Sequence, residues 1–309
     1  MLKMVEINYQ LNEISLEQVI GGWTALAYIV KSGDKKYFLK VYDKSRPSTK
    51  EATAHINLYS ELLKEFILQY GGAQVVQAIK CHNGNYYCEN EDYILMLFDY
   101  IEGETIAATP LNKQQAKALG EIVGQLHTCT IQLDVKNITE NFDVSHYNDK
   151  LAIFLQNPVQ PVFQIIIDSY FELLMKLMQQ TKYLSEQVKD IKTSFVICHT
   201  DIHGFNLRQS KETLVLLDFE TVRYAPIEAD FFALLDLLEY ESFLTGYKQY
   251  HPQFKLNHLL IDYYNYRRKL EDIYQYIEQI LEEEHNDEEV NDIILAIEAE
   301  CEALKSYGL

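Results

Sequence analysis

The sequence predicts an α+β chain of two lobes, a small β-rich lobe followed by a larger, mainly helical one. Three observations carry this. Strand-like apolar runs crowd into the first hundred residues, helical spacing takes over after residue 110, and the charge shifts between the two. The first hundred residues hold 10 Lys/Arg and 12 Asp/Glu, and the remainder hold 17 and 34. With 309 residues and 48% hydrophobic content, the chain is long enough for one large domain or two ordinary ones.

The elements follow in order. IGGWTALAYIV (20–30) and KKYFLKVY (35–42) read as strands joined through Ser-Gly-Asp, a hairpin spacing. SRPSTK (45–50) reads as a loop, and EATAHINLYSELLKEFI (51–67) places apolar residues at helical spacing. DYILMLFDYIEG (92–103) reads as a strand, and IEGET then breaks the pattern. The lobe boundary is expected there: a first lobe over 1–98, a hinge over 99–103 and a second lobe over 104–309. In 111–128, Ala116, Leu119, Ile122, Val123 and Leu126 form one helical stripe. Residues 151–192 predict one or two long helices. Residues 195–220 are the clear strand pair of the second half and read as a β-hairpin. From 230 to 304 the pattern is helical again, broken at 251–257. No internal repeat is visible, and a ligand is expected in the cleft between the lobes.

Bulk properties remove several function classes. A net charge of −19 argues against nucleic acid, whose phosphates need a basic surface. Five cysteines, odd in number, scattered and without a C-x-x-C pair, suggest neither a disulfide framework nor a zinc site. The start, MLKMVEINYQ, has no apolar h-region, so no signal peptide is expected. No apolar run approaches a membrane span. The chain reads as soluble and cytoplasmic, a monomer or weak homodimer with no membrane or nucleic-acid partner. Twelve acids fall in 271–300. They read first as a solvated helical face, and second as acids that steer a cationic ligand.

The chemistry concentrates in FVICHTDIHGFNLRQSKETLVLLDFE (195–220). Asp201 and Asn206 suit a turn, which explains one acid and one amide. Asp218, ending an apolar run, needs a partner, because an unpaired buried carboxylate is expensive. A metal ion is such a partner. Phosphoryl transfer needs a carboxylate to orient and deprotonate a hydroxyl, and oxygen ligands to hold magnesium on nucleotide phosphates. Protein kinases meet this need with H-x-D-x-x-x-x-N followed by D-F-G. His199, Asp201 and Asn206 reproduce the first pattern, and Asp218 with Phe219 begins the second.

The first lobe supplies the remaining parts. A strand lysine held by a glutamate on a following helix positions the triphosphate. Lys40 lies in YFLKVY, and Glu51 opens the next expected helix. Gly21 and Gly22 let the backbone approach a phosphate, and Thr24 follows with a hydroxyl donor. Trp23, a lone Trp beside a strand, reads as packing.

At this point the chain resembles the aminoglycoside phosphotransferase family, kinase-like enzymes that phosphorylate small molecules. HTDIHGFN (199–206), VLLDFE (215–220) and APIEADFFALL (225–235) carry the likeness, with FDYIEGETI (98–106) and ALGEIVGQLHT (118–128) adding to it. It runs in order across most of the chain. The resemblance implies a protein-kinase-like fold, with Asp201 as catalytic base, His199 bracing its loop, and Asn206 and Asp218 binding Mg2+. It implies that Lys40 meets the nucleotide phosphates and pairs with Glu51, and that the backbone of Asp99 and Ile101 meets the base. The nucleotide is ATP or GTP, since backbone contacts leave the base open. His203, and Glu220 in place of the Gly of D-F-G, depart from protein kinases, and no A-P-E segment follows. VICHTDIHGFN and the stretch 261–281, with Tyr264, Arg267, Glu271 and Asp272, look like the spectinomycin-kinase branch.

The acceptor expected on this basis is a hydroxyl of a small cationic molecule, an aminoglycoside or an aminocyclitol such as spectinomycin. Glu228, Asp236 and Glu271 are the candidate acids for it, each equally placed as a solvated or capping residue. The alternatives are a metabolic kinase of an amino alcohol or sugar, homoserine- or choline-like, and a nucleotide-binding pseudokinase regulator. Lys40, Asp201, Asn206 and Asp218 are all present, which favours the enzyme.

Overall fold

The computed structural model describes residues 1–19, 24–156, 161–211, 213–282 and 287–305. They form two compact units, Met1–Thr139 with Ser194–Lys255, and Glu140–Thr193 with Leu256–Leu309. No described helix is long and apolar enough to cross a membrane.

The first unit begins with helix α1 (Leu2–Tyr9) and an antiparallel sheet of β1 (Ile14–Val19), β2 (Leu26–Ser32), β3 (Lys35–Asp43), β4 (Cys88–Glu89) and β5 (Tyr93–Asp99). Its strand order is β1-β2-β3-β5-β4. Alternation along β3 and β5 sorts the side chains. Val30, Leu39, Val41, Leu95 and Leu97 gather on Val5 and Tyr9 of α1, forming a core with Cys81 and Cys88. Lys40 and Tyr42 take the other parity, with Met96 opposite Lys40 in register.

Two helices follow β3, α2 (Pro47–Thr53) and α3 (Ile56–Tyr70). The loop expected at 45–50 is therefore part helix, because Pro47 suits a first helical position. The single helix expected over 51–67 is broken at Ala54 and His55. The break lets α3 bury Ile56, Tyr59, Leu62, Leu63 and Phe66 while Glu51 on α2 stays exposed.

The rest of this unit comprises β6 (Glu104–Thr105), α4 (Lys113–Thr128), β7 (Val196–Cys198), β8 (Leu207–Ser210), β9 (Thr213–Leu216), β10 (Arg223–Ala225), α7 (Glu228–Leu234) and α8 (Tyr240–Tyr247). Asn112 opens α4 with a capping box closed by Gln115. The α4 stripe is buried as its spacing requires. The hairpin expected over 195–220 does not form. β7 pairs with β10, and β9 pairs with β8, which also pairs with β6. Short apolar strands have several possible partners, and the 3-10 turn at Gly204–Asn206 leads straight into β8, which is the nearer antiparallel neighbour of β9.

The second unit is helical: α5 (Ser145–Gln156), α6 (Pro161–Val188), α9 (His258–Glu282) and α10 (Asp287–Leu304). Arg267, 6% exposed, lies within it between Glu140 and Glu271, ion-paired to both. A buried guanidinium needs that double pairing.

Candidate active site

The loop after β7 is held from behind by one carboxylate. Asp230, 1% exposed on α7, accepts from Thr200 N at 2.6 Å and from His199 N at 3.1 Å. Its Oδ2 also lies 2.9 Å from His127 Nε2, and His127 Nδ1 lies 2.9 Å from the Tyr247 hydroxyl. This support is needed because Thr200 has φ 67°, a region costly for a β-branched residue by roughly 1–3 kcal/mol. The Thr200 side chain adds a bond to Thr221 O at 2.7 Å.

The loop then displays its chemistry. His199 is buried; its Nε2 donates to Leu217 O at 2.8 Å and its Nδ1 accepts from Asp201 N at 3.2 Å. The ring thus ties the segment before Asp201 to the segment before Asp218. Asn206 donates from Nδ2 to Asp201 O at 2.9 Å and to Asp201 Oδ2 at 3.0 Å. His203 Nε2 lies 3.3 Å from the same carboxylate oxygen. Gly204 is required here, since a Cβ would come within 1.9 Å of Ala107 O. Phe205 projects outward, 64% exposed.

Asp218, also at positive φ (65°), meets Lys40. Lys40 Nζ lies 2.8 Å from Asp218 Oδ2 and 2.5 Å from Glu220 Oε1. Glu220 also accepts from the Tyr42 hydroxyl in a short bond and from Thr24 Oγ1 at 3.4 Å. Burial opposes the charge on Lys40, yet the two carboxylates outweigh it and hold the ammonium well above its ordinary range. Burial likewise opposes the Asp218 charge, and Lys40 outweighs it, so that carboxyl is lowered. Burial and the Asp218 charge push Glu220 up to about 6.

The structure does not bring Glu51 to Lys40. Glu51 is exposed on α2, and the α3 face that meets the sheet carries Tyr59, whose hydroxyl donates to Met96 Sδ at 3.2 Å. Gly21 and Gly22, like Trp23, lie outside the described residues. Asp99 ends β5 exposed, and Ile101 follows it with its carbonyl bonded to Arg208 Nε at 2.8 Å. Both line a cavity of about 560 Å3 with Lys64, Ile67 and residues 75–80, and none of Lys40, Asp201, Asn206 or Asp218 borders it. Of the candidate acceptor acids, Glu228 is buried at the start of α7 and Asp236 is exposed just after that helix. Glu271 accepts from Arg267 Nε at 2.8 Å within the second unit.

The model of the phosphotransferase enzyme family (APH) matches residues 15–256. The chain belongs to this family. This phosphotransferase is accordingly a small-molecule kinase that acts on a hydroxyl group. It is similar in fold to spectinomycin phosphotransferase APH(9)-Ia in complex with ADP and spectinomycin, at TM-score 0.74 and 18% identity over 96% of this chain and 92% of that one. A microcompartment-associated aminopropanol kinase gives 0.67 and 16%, over 99% and 96%. Amicoumacin kinase hAmiN, solved with AMP-PNP and Ca2+, gives 0.63 and 14%, over 98% and 92%. No curated protein sequence matches.

The phosphotransferase has a donor set that fits magnesium, a cation that takes carboxylate and carbonyl oxygens. Asp218 Oδ1 is buried and has no hydrogen-bond partner among the described residues. Asn206 commits its amide nitrogen to Asp201, which leaves its carbonyl oxygen for a cation. Sequence reasoning assigned no role to Glu220, Asp230 or His127. All three lie in stretches that carried the family likeness, so their position was the available signal.

Proposed function

We propose that this phosphotransferase moves the γ-phosphoryl group of ATP to a hydroxyl of a small, cationic molecule. The carrying observation is a single connected network. Asn206 binds Asp201 through its nitrogen, and His199 binds the segments of Asp201 and Asp218. Asp218 and Glu220 in turn hold Lys40.

In this reading Asp201 orients the acceptor hydroxyl and takes its proton as the phosphoryl group moves. Asn206 Nδ2 and His203 stabilise the carboxylate in the orientation that faces the hydroxyl. Lys40 neutralises the nucleotide phosphates, and Thr24 adds a hydroxyl near them. Asn206 Oδ1 and Asp218 would hold Mg2+, which offsets phosphate charge when bound. Asp99 and Ile101 meet the base through the hinge 99–103, between a nucleotide lobe at 1–98 and an acceptor lobe at 104–309. Glu228, Asp236 and Glu271 remain the acids proposed for the acceptor.

The acceptor class follows from charge and likeness. The excess of acids after residue 100 suits a cation. Spectinomycin phosphotransferase supports an aminocyclitol, and the aminopropanol kinase supports a plain amino alcohol. The test is coupled ADP release over aminocyclitols, aminoglycosides and amino alcohols, with Asp201→Asn alongside. Turnover of an amine-bearing alcohol that vanishes in Asp201→Asn is expected. Turnover that persists in that variant, or that appears only with neutral sugars, sinks the reading.

A further inference from the structure

Arg208 is the one cation on β8, two residues beyond Asn206, and its guanidinium is turned onto the hinge and Thr105 beside it. Nε donates to Ile101 O at 2.8 Å and Nη2 to Gly103 O at 2.6 Å. Nη1 reaches Thr105 Oγ1 at 3.3 Å, and Nη2 reaches the Tyr100 hydroxyl at 3.5 Å. The guanidinium carbon lies 5.7 Å from the Tyr100 ring centroid.

The backbone is built to allow this. Thr105 pairs with Arg208 in the β6–β8 register. Gly103 has φ +132°, and a Cβ there would come within 2.0 Å of Gln209 O, so the hinge lies directly against β8. Strand alternation turns Leu207 into the core, 2% exposed, and frees Arg208 to leave on the other side.

This matters for which base the hinge accepts. A hinge that prefers adenine offers a free backbone carbonyl to the 6-amine, and that same carbonyl repels the 6-oxo group of guanine. Adenine presents a donor at position 6 where guanine presents an acceptor. Here the carbonyls of Ile101 and Gly103 already receive charged N–H groups. Arg carries five N–H donors in a rigid fork. Among the described residues the contacts named above take four of them. This part of the hinge therefore presents carbonyls already engaged by a cation, which disfavours the 6-amine of adenine and suits the O6 edge of guanine.

Resting on the reading of 99–103 as the nucleotide hinge, we infer that Arg208 is a base-selectivity residue that makes this enzyme accept guanine nucleotides alongside adenine ones. Arg208 acts through the hinge carbonyls it occupies and through the positive charge it sets beside them.

The test needs no acceptor. Titration calorimetry gives the dissociation constants of Mg-ADP and Mg-GDP for the wild type, Arg208→Met and Arg208→Lys. In the wild type GDP binds within about tenfold of ADP, and in Arg208→Met the ratio moves toward ADP by about tenfold or more. Arg208→Lys, which keeps the charge and loses the fork, falls between. The ratio cancels any difference in active fraction, so a destabilised variant still reports. Equal weakening of both diphosphates, with the ratio unmoved, marks Arg208 as a structural prop and overturns the inference. So does a wild type that binds ADP and excludes GDP by more than about a hundredfold. In both cases ADP binding that Asp218→Ala weakens leaves the nucleotide-site reading standing. Failure of the wild type to bind either diphosphate overturns both.

Discussion

Glu220 Oε1 lies 2.5 Å from Lys40 Nζ, joining residues 180 positions apart in the chain. The glutamate that holds Lys40 thus comes from two residues beyond Asp218, not from α2 or α3. The arrangement separates two tasks. In the proposed reading an Asp218 that holds Mg2+ no longer balances Lys40 in full, whereas Glu220 still does.

Glu220→Gln should therefore weaken nucleotide binding far more than Glu51→Gln. Removing one partner of a buried charge costs about 3–5 kcal/mol in stability at the upper end, and Asp218 remains to reduce that here. The Mg-ATP dissociation constant is expected to rise by about tenfold or more in Glu220→Gln, while Glu51→Gln stays within about 0.5 kcal/mol of wild type in both binding and stability. Calorimetry on the two variants decides it; a larger effect from Glu51 would restore the pairing that the sequence suggests.

Asp201→Asn should lower kcat by about 10²–10⁴ while Mg-ATP affinity changes by less than about threefold, because a base acts on the acceptor hydroxyl. Asp218→Ala should show the opposite pattern, with Mg-ATP affinity as the main loss. Titrations with and without magnesium separate the two. An Asp218→Ala variant with unaltered Mg-ATP affinity would remove its metal role.

Asp230→Ala should damage the loop without touching substrate. It frees the His199 and Thr200 amides and leaves Thr200 at φ 67° unsupported. Two hydrogen bonds to a charged group, each worth about 1.5–3 kcal/mol, are lost. Urea unfolding should show a loss of about 3 kcal/mol or more. Amide exchange should quicken first at residues 199 and 200, and protection that persists there would contradict the anchor.

Asp272 predicts a pH effect in the second unit. Burial pushes its carboxyl up from 3.8 to about 6, against the pull of Arg268 at 2.8 Å. A carboxyl raised on folding keeps its proton in the folded state where the unfolded chain has lost it. Its contribution is therefore fully present below about pH 4 and is lost as pH climbs to about 6. Asp272→Asn removes this dependence. Its stability relative to wild type should rise across that window by about 1–2 kcal/mol, the linkage value reduced for residual solvent. Urea midpoints at pH 4, 5, 6 and 7.5 give the measurement, and a difference independent of pH is the contrary result.

The grouping of side chains in the loop 199–206 was legible because its contacts are local. His199, Asp201 and Asn206 stand within eight residues, and the bonds among them span at most five positions. Lys40 was singled out by its strand and its place in the order of motifs, and the 3.6 period made the α4 stripe legible. The hairpin across 195–220 was misread because strands of three or four residues carry too few side chains to specify a partner.

By itself the sequence determined the family, the α+β class and the loop that holds the candidate base. These rest on residue types at short, fixed spacing. Only the tertiary structure decided that Lys40 answers to Glu220, that Asp230 and His127 hold the strained Thr200, and that Arg208 caps the hinge carbonyls. Each of those joins residues 30 to 180 positions apart. At such separations, packing and the desolvation of charge choose the partner.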